Sequence, residues 1–348
     1  MNHRPEPSDA TAPLILAADV GGTKTLLQLR RLDDTQRQSG VPVAEQRYPS
    51  NTFDSLESMV LRFLEESGQP RPRSACFAVA GPVTEEAGRQ RAHLTNLPWQ
   101  LDTTKMEATL GIPAIALLND FQAIGYSLDS LTDDELSPLH SVPARPAGPR
   151  LALGAGTGLG ACLVMPDGDA VTSYASEAGH IAFAPRDDEQ QALLGYMQSG
   201  LERVSYERLV SGSGLVRIYR FLLYRRGLEE RDPLLEADDP AAAIGKRAVA
   251  GDHPVALEAV ALFSRLYGAI AGDLALACLP SGGVYIAGGI APKLLPCLQQ
   301  GAFMEAFFDK GRMAGLMRRF PVHVITNTQS GLLGAANYAA RRQAWRSE

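Results

Sequence analysis

The sequence predicts an α/β fold in two domains, and three observations carry that reading. The chain has 348 residues, more than a single compact core normally organises. Apolar runs of strand length alternate with segments of helical spacing, the mark of a layered α/β fold. The pattern strand, glycine turn, strand occurs at 14–29 and again at 150–165, alike in pattern rather than in letters, as an old duplication would leave it.

The elements follow in order. Leu14–Ala18 is a short apolar run that meets "DVGGTK", and Leu26, Leu27 and Leu29 resume a strand. Phe53, Leu56, Met59, Val60, Phe63 and Leu64 recur at helical spacing, with Gly68 as the stop. "ACFAVAGPV" (75–83) is a buried strand ending in a Gly-Pro turn, and "LTNLPWQLD" reads as loop. A short helix over 103–110 precedes a strand over 115–118, giving β-β-α-β-α-β. Residues 129–150 carry Pro138, Pro143, Pro146 and Pro149 and read as a surface excursion between domains. After the second glycine hairpin, helices are expected over Tyr206–Tyr224 and Pro254–Leu279, the latter with proline in its first turn. "GGVYIAGGIAPKLL" (282–295) reads as strand, Gly-Gly, and a helix opened by Pro292; Leu332–Trp345 is an amphipathic helix.

Composition excludes several classes. Apolar residues make up 45% of the chain and charged residues 21%, as in a soluble globular protein. A net charge of −6 with only isolated basic pairs argues against nucleic-acid binding. Cys76, Cys162, Cys278 and Cys297 form no C-x-x-C pair, and three lie in apolar segments. That argues against zinc or a disulfide framework and for a reducing, cytoplasmic compartment. No uninterrupted apolar run approaches the ~18 residues of a membrane span, and the first twelve residues lack the apolar core of a signal peptide.

Three glycine turns at strand ends exceed what folding needs. Glycine lets backbone N–H groups close on an anion, and Thr23 and Thr157 add hydroxyl donors. The P-loop pattern is absent, because Thr23 separates Gly22 from Lys24. Gly156, Gly158 and Ala161 fit the dinucleotide fingerprint, with Glu177 ~20 residues on. That fingerprint must open a helix, whereas "ACLVM" runs straight into the turn "PDGD".

"LLNDFQAIG" (117–125) sets a carboxylate, Asp120, at the carboxyl end of a buried strand, where open α/β sheets bind ligands. Asp120 reads either as the N-cap of the following helix or as a group that acts on a ligand.

"AADVGGTK", "GAGTGLG" and "VYIAGGI" have the order and spacing of the three nucleotide-binding turns of the sugar kinase, heat-shock chaperone and actin superfamily. With "LLNDFQAIG", "SEAGHIAFAP" (176–185), "VSYERLVSGSGL" (204–215), "FDKGRM" (308–313) and "GLLGAA" (331–336), the chain resembles the bacterial glucokinase family of enterobacterial type over most of Leu14–Tyr338. The resemblance implies a two-domain actin-like ATPase fold: duplicated ribonuclease-H-like domains, mixed sheets flanked by helices, and a cleft between domains. Residues 1–13, containing Pro, Ser, Asp and Thr, read as a disordered tail, and the resemblance implies 14–128 plus 331–348 as the smaller domain and 129–330 as the larger. It further implies ATP-dependent phosphorylation of the 6-hydroxyl of glucose, feeding glycolysis, with Mg²⁺ on the nucleotide and a homodimer as the assembly.

By the same resemblance Asp120 is the catalytic base, and Asn119, Glu177 and His180 hold sugar hydroxyls. Ala18, Asp19, Val20, Gly21, Gly22, Thr23, Gly156, Thr157, Gly158, Gly288 and Gly289 bind ATP. Asp19 acts on the metal or its water, with no direct protein ligand to Mg²⁺ expected. The chemistry agrees. Phosphoryl transfer asks mainly for positioning and charge stabilisation, and a carboxylate can take the attacking hydroxyl's proton. Glu177 and His180 also admit ordinary surface or structural roles.

Two departures matter. The family's further sugar glutamate is expected four residues before "VS", where this chain has Gly200; Glu202, two residues on, is the candidate replacement. The related repressor and kinase family carries a zinc-binding cysteine cluster that "GHIAFAPRDDEQ" lacks. The alternatives are a kinase of another hexose (mannose, fructose or an amino sugar) and a sensor that binds sugar and nucleotide without turnover.

Overall fold

The computed structural model describes residues 12–345 apart from 33–39, 95–96, 169 and 229–231. The tail expected over residues 1–13 lies outside them but for its last two residues. The chain divides into two compact units, Met1–Leu131 with Gln329–Glu348, and Thr132–Thr328.

The first unit is built on a five-stranded mixed sheet. β1 (Leu14–Val20) pairs antiparallel with β2 (Lys24–Arg31), and β2 with β3 (Val41–Pro49). The helix α1 (Leu56–Ser67) is bounded as the spacing predicts. Ser55 and Ser58 form a capping box, and Gly68 closes the other end at φ 60°. Its buried stripe of Leu56, Met59, Val60, Phe63 and Leu64 packs with Leu16, Leu27 and Phe77 of the sheet. β4 (Ser74–Val79) lies parallel to β1, and a small sheet of β5 (Val83–Glu86), β6 (Arg89–His93) and β7 (Gln100–Asp102) follows. Then come α2 (Thr103–Leu110), β8 (Ile115–Asn119) parallel to β4, and α3 (Asp120–Ser127). The chain's last helix, Ser330–Trp345, packs on α3, β1 and β4. Ser74 Oγ donates to Ala339 O at 2.8 Å, and Asn337 Nδ2 to Tyr126 O at 2.9 Å.

The second unit repeats the plan. β9 (Leu136–His140), β10 (Arg150–Ala155), β11 (Leu159–Asp167) and β12 (Ala170–Ser176) belong to one six-stranded sheet. The helices are α4 (Asp188–Gln198), α5 (Gly212–Arg225), α6 (Pro240–Ala250) and α7 (Pro254–Cys278). β13 (Gly283–Ala287), α8 (Leu295–Leu298), α9 (Ala302–Phe308), α10 (Ala314–Met317) and β14 (Val322–Ile325) complete it. The antiparallel run β10–β11–β12 repeats β1–β2–β3, and the parallel run β10–β13–β14 repeats β1–β4–β8. These are the mixed sheets flanked by helices that the sequence leads one to expect.

The helix α7 is long and apolar enough, by length and composition, to cross a bilayer, yet 78% of its most apolar window is buried within the protein. Its Tyr267 packs edge-on against Phe263 and against Phe303 of α9. The "FDKGRM" motif anchors here. The Lys310 side chain is buried, and its Nζ reaches Asp273 Oδ1 at 2.5 Å and Ala269 O at 2.9 Å. Burial pulls the ammonium pKa down, and Asp273 opposes it.

Several elements differ from expectation. β3 and the small sheet were not foreseen, and the expected loop over 94–102 ends in β7 beneath a buried Trp99. The excursion over 129–150 contains β9, which pairs with β14 at the sheet's edge, where Pro138 is tolerated. The helix expected over Tyr206–Tyr224 is a single 3₁₀ turn, Tyr206–Arg208, and then α5. Ser211 restarts the chain as an N-cap, its Oγ accepting from Gly214 N at 3.1 Å. The helix expected from Pro292 begins at Leu295, after a run of turns.

Candidate active site

The first glycine turn joins β1 to β2. Gly21 N donates to Lys24 O at 3.1 Å. Ser50 braces it from below, its Oγ donating to Gly21 O at 2.7 Å and its N–H to Thr23 O at 2.9 Å. Gly22 and Thr23 lie at the tip between Gly21 and β2, while Ala18 and Val20 are buried in β1. Asp19, between them, is the one exposed residue of the strand. Crowding by the surrounding chain nonetheless raises its carboxyl pKa, with the Arg47 guanidinium pulling it down.

The second and third turns lie side by side. Gly156 N donates to Gly158 O at 2.8 Å, and Gly212 N to Gly156 O at 2.9 Å, so the start of α5 holds the second turn. From behind, the phenol of fully buried Tyr267 accepts from Ala155 N at 3.0 Å. Gly288 of the third turn sits at φ +81°, and a Cβ there would stand 2.5 Å from Ala155 O, so only glycine lets the two turns meet. A cavity of about 770 Å³ opens between them. Gly156, Thr157 and Gly289 line it with the apolar side chains of Val216, Ala241, Val249 and Ile290, and Lys246 and Lys293 supply cations. An apolar hollow with glycine turns and lysines on its rim suits a planar base attached to phosphates.

At the end of β8 the N-cap of α3 is Asn119, which corrects the reading of Asp120 as cap. Asn119 Oδ1 accepts from Phe121 N at 3.0 Å and Gln122 N at 3.3 Å, and its Nδ2 donates to Gly81 O at 3.2 Å. Asp120 is the first helical residue, partly buried, with Oδ1 2.8 Å from Phe121 N. The capping duty falls one residue earlier because β8 runs through Asn119 and only its side chain can turn back over the first turn.

Glu177 and His180 come together on a 3₁₀ turn (Ala178–His180) that packs on β11. His180 Nε2 lies 3.6 Å from Glu177 Oε2, and both side chains are exposed, at 62% and 69%. Glu202 stands exposed in the loop beyond α4. Gly200 has open space where a Cβ would go, so no packing constraint requires glycine there.

One carboxylate escaped the sequence reading. Glu207 Oε2 accepts from Leu159 N at 3.0 Å, at the exit of the second glycine turn. Its segment also grips the loop bearing His180: Tyr206 N donates to Ile181 O at 3.0 Å, Phe183 N to Val204 O at 3.0 Å, and Arg203 Nη2 to His180 O at 3.1 Å. The signal was present in "VSYERLVSG", but the helix expected over 206–224 hid the break that turns Glu207 inward.

A family model described as Glucokinase matches residues 16–342. A glucokinase of a Nostoc species is 43% identical over 345 residues, covering 94% of this chain and 99% of its own. The glucokinase of Tolumonas auensis is 35% identical over 331 residues, covering 95% and 98%. Among solved structures, a glucokinase from an Antarctic psychrotroph is similar with a TM-score of 0.81 and 30% identity, covering 94% of this chain and 99% of its own. A ROK family glucokinase from Streptomyces griseus, solved with glucose and AMPPNP, shares the fold at a TM-score of 0.64 and 20% identity, covering 94% and 99%.

Proposed function

This chain belongs to the glucokinase family, and from that premise we propose how its residues carry out the ATP-dependent phosphorylation of glucose. Asp120 takes the proton of the 6-hydroxyl as that oxygen attacks the γ-phosphorus. The observation that carries this reading is its position: a partly buried carboxylate at the carboxyl end of a parallel strand, on the first turn of α3. Asn119 is held by its cap and by Gly81, which leaves one amide hydrogen for a sugar hydroxyl. Glu177 and His180, 3.6 Å apart on one turn, supply an acceptor and a donor for sugar hydroxyls.

Glu207, rather than Glu202, is the further carboxylate on the sugar side. Its Oε2 is fixed by Leu159 N–H, whereas Glu202 is exposed to solvent. The expected result is that Glu207→Ala lowers kcat/KM for glucose by roughly 10- to 100-fold, the effect of removing a charged hydrogen-bond partner. Glu202→Ala is expected to stay within about twofold, and steady-state kinetics with both variants checks the pair.

The 770 Å³ cavity takes the adenosine of ATP, and the first two turns present Gly21, Gly22, Thr23, Gly156, Thr157 and Gly158 to its phosphates. Gly289 lines the cavity with open space at its Cβ position. Gly289→Leu therefore fills the hollow without straining the fold: KM for ATP should rise at least about tenfold, with glucose binding and Tm unchanged. Asp19 is a single carboxylate beside the first turn. A lone carboxylate fits Mg²⁺ that is held mainly by phosphate oxygens and water; the bound ion would neutralise charge on the transferring phosphoryl group.

Among the described residues Cys76, Cys162, Cys278 and Cys297 form no disulfide, and a cytoplasmic location remains the expectation. The family expectation of a homodimer is checked by sedimentation. The deciding experiment follows ADP release with Mg-ATP against glucose, mannose, fructose, glucosamine and N-acetylglucosamine. Turnover highest on glucose is expected; faster turnover on another hexose keeps the mechanism and replaces the substrate.

A further inference from the structure

Beside the His180 loop, on the second unit, lies a concentration of positive charge that the reaction does not use. Arg203, Arg208, Arg217 and Arg220 fall within one stretch of 18 residues from 203 to 220, and among the described residues no carboxylate lies within ion-pair distance of any of them. Elsewhere in the same unit Arg186, Arg225, Arg226, Arg247 and Arg265 are each paired with an acid. Arg217 Nη1 donates to Ser213 Oγ at 2.8 Å and to Arg208 O at 3.3 Å, which packs the guanidinium against its neighbour's backbone. Its pKa is lowered by burial first, and then by repulsion from Arg208 and Arg220. A chain of net charge −6 thus keeps like charges together without neutralising them. A pocket of about 340 Å³ sits here, lined by His180, Arg203, Ser205 and Arg208.

We propose that this pocket binds the phosphate group of a sugar phosphate, gripping it with the guanidinium forks of Arg203 and Arg208 beside the sugar loop. Guanidinium forks match phosphate oxygens two by two. Because His180 belongs to both the pocket and the proposed sugar site, the inference rests on that assignment for its meaning: a hexose phosphate held here obstructs the sugar loop and restrains the enzyme when product accumulates. The anion binding itself stands independently of turnover.

The test is calorimetric titration of the full chain, without nucleotide and at fixed ionic strength, with glucose 6-phosphate, inorganic phosphate and glucose. Glucose 6-phosphate is expected to bind, and the Arg203→Ala/Arg208→Ala double variant to weaken it at least tenfold. Arg208→Glu alone, which removes no side-chain hydrogen bond seen in the structure, is expected to do the same and guards against misfolding of the double variant. Tighter binding of the sugar phosphate than of inorganic phosphate assigns the pocket to the ester; equal binding assigns it to free phosphate and overturns the sugar-phosphate reading. Unchanged binding in both variants, or no binding of either anion, overturns the pocket. A chain that binds the anion through these arginines but releases no ADP on glucose would refute the kinase assignment and leave the pocket standing.

Discussion

Asp120→Asn is expected to lower kcat for glucose phosphorylation by about 10³- to 10⁴-fold, the upper range for removing a general base, while glucose still binds. The substitution suits the site. Asparagine keeps the volume and one carbonyl oxygen, so the contact with Phe121 N and the first turn of α3 persist. What is lost is the ability to accept a proton. Asn119, the true cap, is untouched, so a fall in kcat cannot be assigned to an unravelled helix. Coupled measurement of ADP release and calorimetric glucose affinity separates the outcomes. A loss confined to KM would make Asp120 a binding residue only, and near-wild-type turnover would exclude it as base.

Gly334→Ala is expected to cost about 3 kcal/mol of stability, at the top of the range for overpacking, and to lower the Tm by roughly 6–12 °C. Gly334 lies where the last helix crosses α3. A Cβ there would stand 1.7 Å from Ala123 O, 2.7 Å from its carbon and 3.0 Å from Ser127 N. Those neighbours are backbone and cannot turn aside, so the helices must part. Parting them moves α3, and with it Asp120, so kcat should fall along with stability. Gly331→Ala in the same helix is the control. Its nearest neighbour would be Ile124 Cγ1 at 3.9 Å, ordinary contact, and no loss of stability is expected. Thermal unfolding of both variants decides whether crowding or the mere loss of glycine is responsible; equal behaviour of the two would refute the packing argument.

Much of this was legible in the chain itself. The two glycine hairpins, the helix stopped at Gly68 and the proline-opened α7 were readable because each depends on local chemistry: a positive φ, a missing N–H, an apolar stripe. The edges of the sheets were not. β3 is largely exposed, with Pro42 near its start and a polar run Glu45-Gln46-Arg47 in its middle, so it carries no clear two-residue alternation; β9 holds a proline that argues against a strand until its edge position is known. At the site, Asn119 and Asp120 stood out because they end a buried run. Which of the two caps the helix depends on side-chain direction, which spacing does not encode. Glu207 was missed because its inward turn depends on Ser211 restarting the helix and on a Leu159 N–H 48 positions away.

The segment from Arg203 to Gly212 touches the loop of His180 at one end and the second glycine turn at the other. On the proposed assignments, sugar and nucleotide draw on a common piece of backbone. Any free energy by which glucose firms that piece for ATP is returned in equal measure by ATP to glucose, since linkage between two binding equilibria is reciprocal. Measured as the ratio of each ligand's affinity with and without the other, the two factors must be the same number.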